Sequence, residues 1–387
     1  MLTDADRRLA ARDPGVPGLA VLLDPDALTA WLRARWRGRP ARDRPPPDAV
    51  TIEYLRYKPR TAMVAAVELS WPGATRSGFV KAVAPRAAPK LAKLRGAIVD
   101  DTLLLAYGDA ADDRRLPGLT RLHAEPAAVR TLRYKPERRW VGVIGDRVVK
   151  VHRPPLEPAT VRDHRAVQAT GLPVPDLLEA RPRHGLVAYR WVDGKPLDHG
   201  GLDDATRREV GVLLRRLHDC PVVPARSRPP HHLELAGAAR SVAAVLPEVA
   251  ETARSTQRAI TATLAGLDRS VVPVHGDFSA DQVIAGPAGL AVIDLDRLCA
   301  DDPAVDLAGW VAAEIVAGRA DPDARSAQVL GELLDGYRPA DALLDRLDLL
   351  AAAALLRRAA EPFRTRLGDW PRLVAAHVER ARRLAAS

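Results

Sequence analysis

The chain has 387 residues and a mass of 41.8 kDa, with 47% hydrophobic and 28% charged residues, the composition of a globular protein with two or three cored domains. Its net charge of +9 comes mainly from arginines scattered along helical stretches. With 4% aromatics and no basic tail, zinc-ligand set or aromatic RNA-binding pattern, that charge does not describe a nucleic-acid binder. The N-terminal stretch is charged, no apolar run reaches bilayer length, and Cys220 and Cys299 lack metal-type spacing. No signal peptide, membrane partner or disulfide framework is expected, and the expected location is cytoplasmic.

In chain order, the first feature is a repeat. Leu55-Arg56-Tyr57-Lys58-Pro59-Arg60 returns as Leu132-Arg133-Tyr134-Lys135-Pro136-Glu137. Each copy leads into alternating apolar residues, 61–69 and 140–144, the period of a half-buried strand, and Gly145-Asp146 suits a hairpin turn. Each then reaches a lysine-bearing strand, at Lys81 and Lys150. The spacing predicts two β-meander units rather than a solenoid, and leaves their common ancestry open. A helix is predicted over 158–170, stopped by Gly171 and Pro173. Strands follow from Pro175 and over 185–192, broken by Asp193-Gly194-Lys195-Pro196. From Asp203 the period turns helical, with arginines opposite the apolar face over 210–218. Further helices are predicted over 236–267, 305–317, 324–337, 340–360 and 371–386. Strands early and helices late give an α+β architecture.

The chemistry concentrates in Val274-His275-Gly276-Asp277-Phe278-Ser279-Ala280-Asp281-Gln282-Val283, followed after a turn by Val292-Ile293-Asp294-Leu295-Asp296. Each acid stands where a strand would end. Phosphoryl transfer from ATP asks a protein mainly for positioning and charge neutralisation, with one carboxylate for the acceptor's proton and another for magnesium. Asp277 fits the first role, beside a glycine that permits a tight backbone path, and Asp294 fits the second. Magnesium takes few, hard oxygen ligands, so the side-chain amide oxygen of Gln282 suits the protein's remaining share. Asp296 faces the same side as Asp294 if the strand continues, which makes it an auxiliary candidate. Singly these signals are weak, because an Asp ending a strand is ordinarily a turn former or cap. The ordered set, completed by Asp302-Pro303-Ala304-Val305-Asp306, carries the reading.

In wording and order these residues resemble the aminoglycoside phosphotransferase family of small-molecule kinases, relatives of the protein kinases. The resemblance covers about residues 132–317. It implies a bilobal, protein kinase-like α+β fold with a β-rich N-lobe and a helical C-lobe, the cofactors ATP and Mg2+, and Asp277 as catalytic base. Lys150 stands where the family carries the strand lysine that touches ATP phosphates. Lys81 is its rival, but only Lys150 precedes helix, hinge and catalytic loop in the family's order. Tyr189-Arg190-Trp191-Val192-Asp193-Gly194 resembles the hinge, so the backbone of Arg190, Trp191 and Val192 is expected to pair with adenine. Gln282 and Asp294 are implied as metal ligands, and His275 and Asp306 as structural support. The family's ion-pair glutamate does not align here, leaving Glu157 and Asp163 as candidates for the partner of Lys150.

Three departures mark this chain. Gln282 stands where the family usually has Asn, similar to maltokinases and related glucosamine kinases, which also carry a β-rich cap ahead of the N-lobe. No Gly-rich phosphate loop is visible, and Lys135-Pro136-Glu137-Arg138-Arg139 stands in its place. Ser279-Ala280-Asp281 differs from the sugar-kinase wording, so the acceptor does not carry across. The expected domains are an N-terminal β-rich cap at 1–125, a kinase-like N-lobe and hinge at 126–195, and a helical C-lobe at 196–387.

The expected function is ATP- and magnesium-dependent phosphotransfer to a hydroxyl of a small polar molecule, a sugar or amino sugar. Trp310, Glu314, Glu361 and Arg364 on the late helices are candidates to line the acceptor pocket. One alternative is an aminoglycoside-type antibiotic phosphotransferase. Against it stands the basic segment with Arg357, Arg358, Arg364, Arg366 and Arg372, since polycations favour an acidic pocket. The other is a non-catalytic, pseudokinase-like nucleotide-binding module, kept open by Gln282 and the missing Gly-rich loop. Intact Lys150, Asp277 and Asp294 count against it. The sequence does not fix the acceptor, the choice of ATP over GTP, or the oligomeric state.

Overall fold

The computed structural model describes residues 2–36, 45–94, 96–122, 129–200, 202–267, 270–321 and 323–387; the expected domain boundary at 125/126 lies outside them. The chain divides into two compact units. Unit 1 comprises Met1–Leu156, Glu179–Ala188 and Phe363–Trp370, and unit 2 comprises Glu157–Leu178, Tyr189–Pro362 and Pro371–Ser387.

Unit 1 opens with three helices that the strand-centred reading of this region did not foresee: α1 (Asp4–Arg12), α2 (Leu19–Leu23) and α3 (Pro25–Trp36). A capping box starts α1, in which Asp6 N donates to Thr3 Oγ1 at 3.1 Å and Thr3 N to Asp6 Oδ2 at 3.2 Å. A first sheet follows from β1 (Ala49–Lys58), β2 (Ala62–Trp71), β3 (Ala74–Val83), β4 (Ile98–Asp100) and β5 (Leu105–Asp109), in the order β1-β2-β3-β5-β4. After α4 (Gly118–Leu122) comes a second, from β6 (Val129–Lys135), β7 (Arg139–Ile144), β8 (Arg147–His152), β9 (Leu177–Arg181) and β10 (Leu186–Arg190). Its order, β6-β7-β8-β10-β9, repeats the first. Both sheets carry a bulge in their first strand, between Ile52 and Tyr54 and between Thr131 and Arg133. The β7–β8 turn is the expected Gly145-Asp146 hairpin, with Ile144 opposite Arg147 and Gly145 at φ 60°. One apolar core serves both sheets: Ala66 and Phe79 from the first and Trp140, Val149, Val151 and Leu186 from the second close around Leu116, Leu119 and Leu122.

Unit 2 begins with α5 (Pro158–Ala169), followed by a short strand β11 (Lys195–Pro196) and the helices α6 (Asp204–His218), α7 (His231–Val245) and α8 (Ala250–Ala265). Strands β12 (Val272–Val274), β13 (Val283–Gly286), β14 (Gly289–Val292) and β15 (Cys299–Asp301) then frame the two acidic loops. β12 pairs with β15, and β11, β13 and β14 form a small sheet. The remaining helices are α9 (Ala304–Val316), α10 (Ser326–Leu330), α11 (Glu332–Tyr337), α12 (Asp341–Leu344), α13 (Leu347–Arg358), α14 (Glu361–Arg364, crossing into unit 1) and α15 (Trp370–Ala385). The helix expected over 324–337 is divided at Gly331, whose φ of 51° and ψ of −129° end α10. In α13, every residue from Leu350 to Leu356 is buried. That all-round apolar helix is fixed by its surroundings, and its polar end presents Arg357 and Arg358. Cationic side chains there also suit the negative end of the helix dipole.

Among the described residues, no helix is long and apolar enough to cross a membrane. Cys220 and Cys299 are free and buried, and burial pushes the Cys299 thiol up to about 12.

Candidate active site

The Asp277 loop is suspended from Asp306 on α9. Asp306 is fully buried and accepts from His275 N at 2.7 Å and from Gly276 N at 2.8 Å. A third donor, His218 Nε2, lies 3.0 Å from the same carboxylate, while His218 Nδ1 accepts from Tyr337 Oη at 2.8 Å. His275 ties the two acidic loops together, since its Nε2 donates to the Ile293 carbonyl at 2.9 Å. A carbonyl can only accept, so that bond fixes the tautomer and leaves Nδ1 to accept from Asp277 N at 3.3 Å. Phe278 anchors the loop's far side, buried with its ring 5.6 Å from that of Trp310. Gly276 has φ 80°, and a Cβ there would meet the Arg297 carbonyl oxygen at 2.6 Å. Only glycine fits.

The β13–β14 hairpin brings the second acid to the first loop. Val283 stands opposite Val292, and Ile293 N donates to the Gln282 carbonyl at 2.9 Å, so Gln282 and Asp294 flank one rung. Gln282 Nε2 donates to Asp281 Oδ2 at 2.7 Å, and its amide oxygen is the atom a cation would take. Asp294 adopts the left-handed conformation, φ 63° and ψ 50°, uncommon for a non-glycine but one that aspartate tolerates. The strand ends at Val292 and Asp296 lies in a tight turn over Leu295–Arg297, so the same-side argument from a continued strand does not apply to it. The side-chain oxygens of Gln282 and Asp294 are hard donors of the type that magnesium takes. No group of three or more His, Cys, Asp or Glu side chains suited to a metal occurs among the described residues.

The residue that sequence reasoning missed is the partner of Asp277. Arg358 Nη2 donates to Asp277 Oδ1 at 2.9 Å, and Arg297 Nε lies 3.8 Å from Oδ2. Burial pushes the Asp277 carboxyl up, but the guanidinium groups of Arg358 and Arg297 outweigh it and hold the group below the usual carboxylate range. Glu361 balances Arg358 from 3.6 Å. Beside the loop is a cavity of about 490 Å³ whose wall includes Glu157, Arg226, Arg228, Glu234, Gly276 and Arg297. Its two acids are already paired, Glu157 with Arg226 Nε at 3.0 Å and Glu234 with Arg228 Nε at 3.1 Å.

Other expected residues lie as follows. Lys150 is buried in β8 opposite Val141. Of its two candidate partners, Asp163 pairs with Arg162 and accepts from Ala225 N at 3.0 Å, while Glu157 holds Arg226. At the hinge, the Arg190 backbone N–H already donates to the Asp176 carbonyl at 2.9 Å, and Trp191 and Val192 follow the end of β10. Trp310 is fully buried and Glu314, 2% exposed, is paired with Arg319, so both are interior residues.

A family model for the phosphotransferase enzyme family matches residues 135–350, more than half of the chain and both acidic loops. The chain belongs to this family. Among solved structures, the phosphotransferase is similar to an amicoumacin kinase in complex with AMP-PNP and Ca2+, at 14% identity and a TM-score of 0.55, over 71% of this chain and 94% of that one. It is similar to a choline/ethanolamine kinase family protein from Mesorhizobium loti at 16% identity and a TM-score of 0.53, over 70% and 93%. A choline kinase from Streptococcus pneumoniae follows at 14% identity and a TM-score of 0.50, over 70% and 97%. No curated protein matches the phosphotransferase in sequence. At such identities the likeness is one of fold, and the α+β kinase-like fold expected from the sequence is the fold observed.

Proposed function

We propose that this phosphotransferase moves the γ-phosphoryl group of ATP to a hydroxyl of a small polar acceptor, a sugar or amino sugar. The observation that carries the reading is the coupling of the two loops, with His275 and Gly276 hung from Asp306, His275 bonded to Ile293, and Ile293 paired with Gln282 by the hairpin. The similar amicoumacin kinase holds a nucleotide analogue and a divalent cation, which supports a nucleotide and a metal here as well. Magnesium, when bound, would neutralise charge on the triphosphate, and Asp294 and Gln282 are the residues we assign to hold it. Lys150 and the backbone at Trp191 and Val192 are assigned to ATP by their match to the family's wording.

Asp277 orients the acceptor. As the acceptor oxygen bonds to the γ-phosphorus and the bond to ADP breaks, the hydroxyl proton passes to the Asp277 carboxylate. In a loose transition state little proton transfer is needed early, so a carboxylate of lowered pKa is adequate and is ionised at neutral pH. The cavity wall beside Gly276 carries three arginines against two acids already in ion pairs, which favours a neutral or singly charged acceptor over a polycationic aminoglycoside.

The test is a panel of glucose, maltose, glucosamine and kanamycin with magnesium and ATP, read by mass spectrometry for a phosphate increment. A sugar or amino sugar should gain one phosphate, and Asp277→Ala should abolish the gain while AMP-PNP affinity stays near that of wild type. Turnover of kanamycin alone rejects the acceptor reading. Undiminished turnover in Asp277→Ala rejects the mechanism.

A further inference from the structure

The repeated motif has a use that the reading above leaves unexplained. Beyond the shared strand order and bulge, each sheet is preceded by a run that opens on Asp and closes on Pro-Gly-Leu, Asp13-Pro14-Gly15-Val16-Pro17-Gly18-Leu19 and Asp113-Arg114-Arg115-Leu116-Pro117-Gly118-Leu119. The two aspartates act alike. Asp13 Oδ2 accepts from Tyr57 Oη and Arg60 N, both at 2.7 Å, and Asp113 Oδ2 accepts from Tyr134 Oη at 2.8 Å and Glu137 N at 2.7 Å. Arg60 and Glu137 occupy the same turn position, with φ of 55° and 64°. Lys81, opposite Val64, is the counterpart of Lys150, opposite Val141. Strand order, bulge, turn and buried cap agree together, which makes the two modules copies of one design.

They differ at the turn tip, where the first has Arg60 and the second Glu137. Lys81 Nζ lies 2.5 Å from Glu137 Oε1, and Arg56 holds the other carboxylate oxygen. Lys135 Nζ in addition sits 5.5 Å from the centroid of the Tyr54 ring. Three residues of the first module thus grip the turn of the second. The Lys81 side chain is only 14% exposed, so its charge is spent on this contact. Burial pushes the Glu137 carboxyl up, but Lys81 and Arg56 prevail and keep it ionised. The gripped turn carries Arg138 and Arg139, and the register Arg139–His152, Val141–Lys150 places it at the Lys150 end of the sheet.

We propose that the N-terminal module is a duplicate of the nucleotide-facing module that has given up a site of its own and instead positions the Lys135–Arg139 turn for the triphosphate. Lys81 and Arg56 are positioning residues that act through Glu137. A Gly-rich loop offers phosphates its closely approaching backbone N–H groups, whereas this turn would offer basic side chains and is held by ion pairs supplied from the first copy. The proposal rests on the ATP-dependent reading above.

The experiment measures AMP-PNP affinity by calorimetry and steady-state KM values for ATP and acceptor, in full-length wild type, Lys81→Met, Lys81→Arg, Glu137→Gln and Lys81→Met/Glu137→Gln. Thermal melts check that each is folded. Lys81→Met and Glu137→Gln should each raise the AMP-PNP Kd and the ATP KM roughly fivefold to tenfold, with the acceptor KM unchanged. The double variant should be no worse than either single one, and Lys81→Arg should restore most of the affinity. Nucleotide affinity equal to wild type in the single variants, or an equal rise in acceptor KM, overturns the proposal. If wild type binds no nucleotide, the functional reading fails first and takes this proposal with it. Wild-type binding with indifferent variants sinks the positioning role alone.

Discussion

Arg358 Nη2 donates to Asp277 Oδ1 at 2.9 Å, joining residues 81 positions apart in sequence. The contact helps explain how a half-exposed carboxylate beside α13 is held below the usual carboxylate range. Asp277 has its pKa lowered, so removing the arginine raises it. In Arg358→Gln, the acid limb of the kcat/KM profile against pH should therefore move to higher pH, with activity near neutrality reduced. The alkaline limb should stay where it is. The wild-type limb lies below pH 4, so in profiles measured from pH 4 to 9 an acid limb should enter only for the variant; a variant profile as flat there as wild type would mean that the guanidinium does not govern Asp277.

Asp306 supports the loop by taking two backbone N–H groups and the His218 imidazole in a fully buried position. Asp306→Ala leaves three donors without an acceptor in the interior, each costing about 1–3 kcal/mol. The expected result is a loss of about 3–5 kcal/mol in urea denaturation of unit 2 and loss of transfer. Asp306→Asn should fall between, because its amide oxygen still accepts while its NH2 faces other donors. A stability change under about 1 kcal/mol for the alanine variant would contradict the buried-acceptor account.

How much of this was legible in the sequence follows from range. Local signals held: Gly145-Asp146 made its hairpin, the amphipathic run over 210–218 lies within α6, and Gly171 follows the end of α5. The opening helices carry a faint signal, because in the capping box of Thr3 and Asp6 an Asp stands where Glu or Gln is usual. The second repeat element around Asp13 and Asp113 shares a spaced pattern rather than a continuous word. Its meaning emerges only from the tyrosine hydroxyls that the two aspartates accept. The Arg358–Asp277 pair had no sequence signal at all, since a terminal arginine on an apolar helix is ordinarily solvated. Lys81, the rival of Lys150 in sequence, has its role decided by Glu137, 56 positions away and 2.5 Å from its Nζ.

Unit 1 holds a more deeply buried ion pair. Arg366 Nη1 and Nη2 each donate to Asp6 at 2.9 Å, and the Asp6 carboxylate is fully buried. Burial pushes its pKa up, but the bidentate guanidinium and Thr3 more than compensate and leave it lowered. A lowered folded-state pKa means that the stabilisation is present above the unfolded value, near 3.9, and is lost as pH falls through the folded value. Removing one partner strands the other in the interior, at a cost of about 3–5 kcal/mol. Asp6→Ala should therefore lower the denaturation midpoint of unit 1 at pH 7, and the gap from wild type should shrink towards pH 2. A gap that persists undiminished in strong acid would rule out the ion pair as its source.

Asp294 separates stability from function in one residue. Its left-handed backbone suits glycine, is tolerated by aspartate and strains alanine, at a cost on the order of 1–2 kcal/mol. Asp294→Ala should lose about that much stability, whereas Asp294→Gly should be neutral or nearly so. Both should lose phosphoryl transfer to the same degree, because each removes the carboxylate assigned to magnesium. Gln282→Leu should raise the magnesium concentration needed for half-maximal rate, while Gln282→Asn, which keeps an amide oxygen, should lose less. Magnesium titrations of the four variants beside thermal melts give both readouts, with EDTA removing wild-type activity and added magnesium restoring it. Transfer that survives in Asp294→Gly, or that proceeds unchanged in EDTA, would leave these two residues with a structural role only.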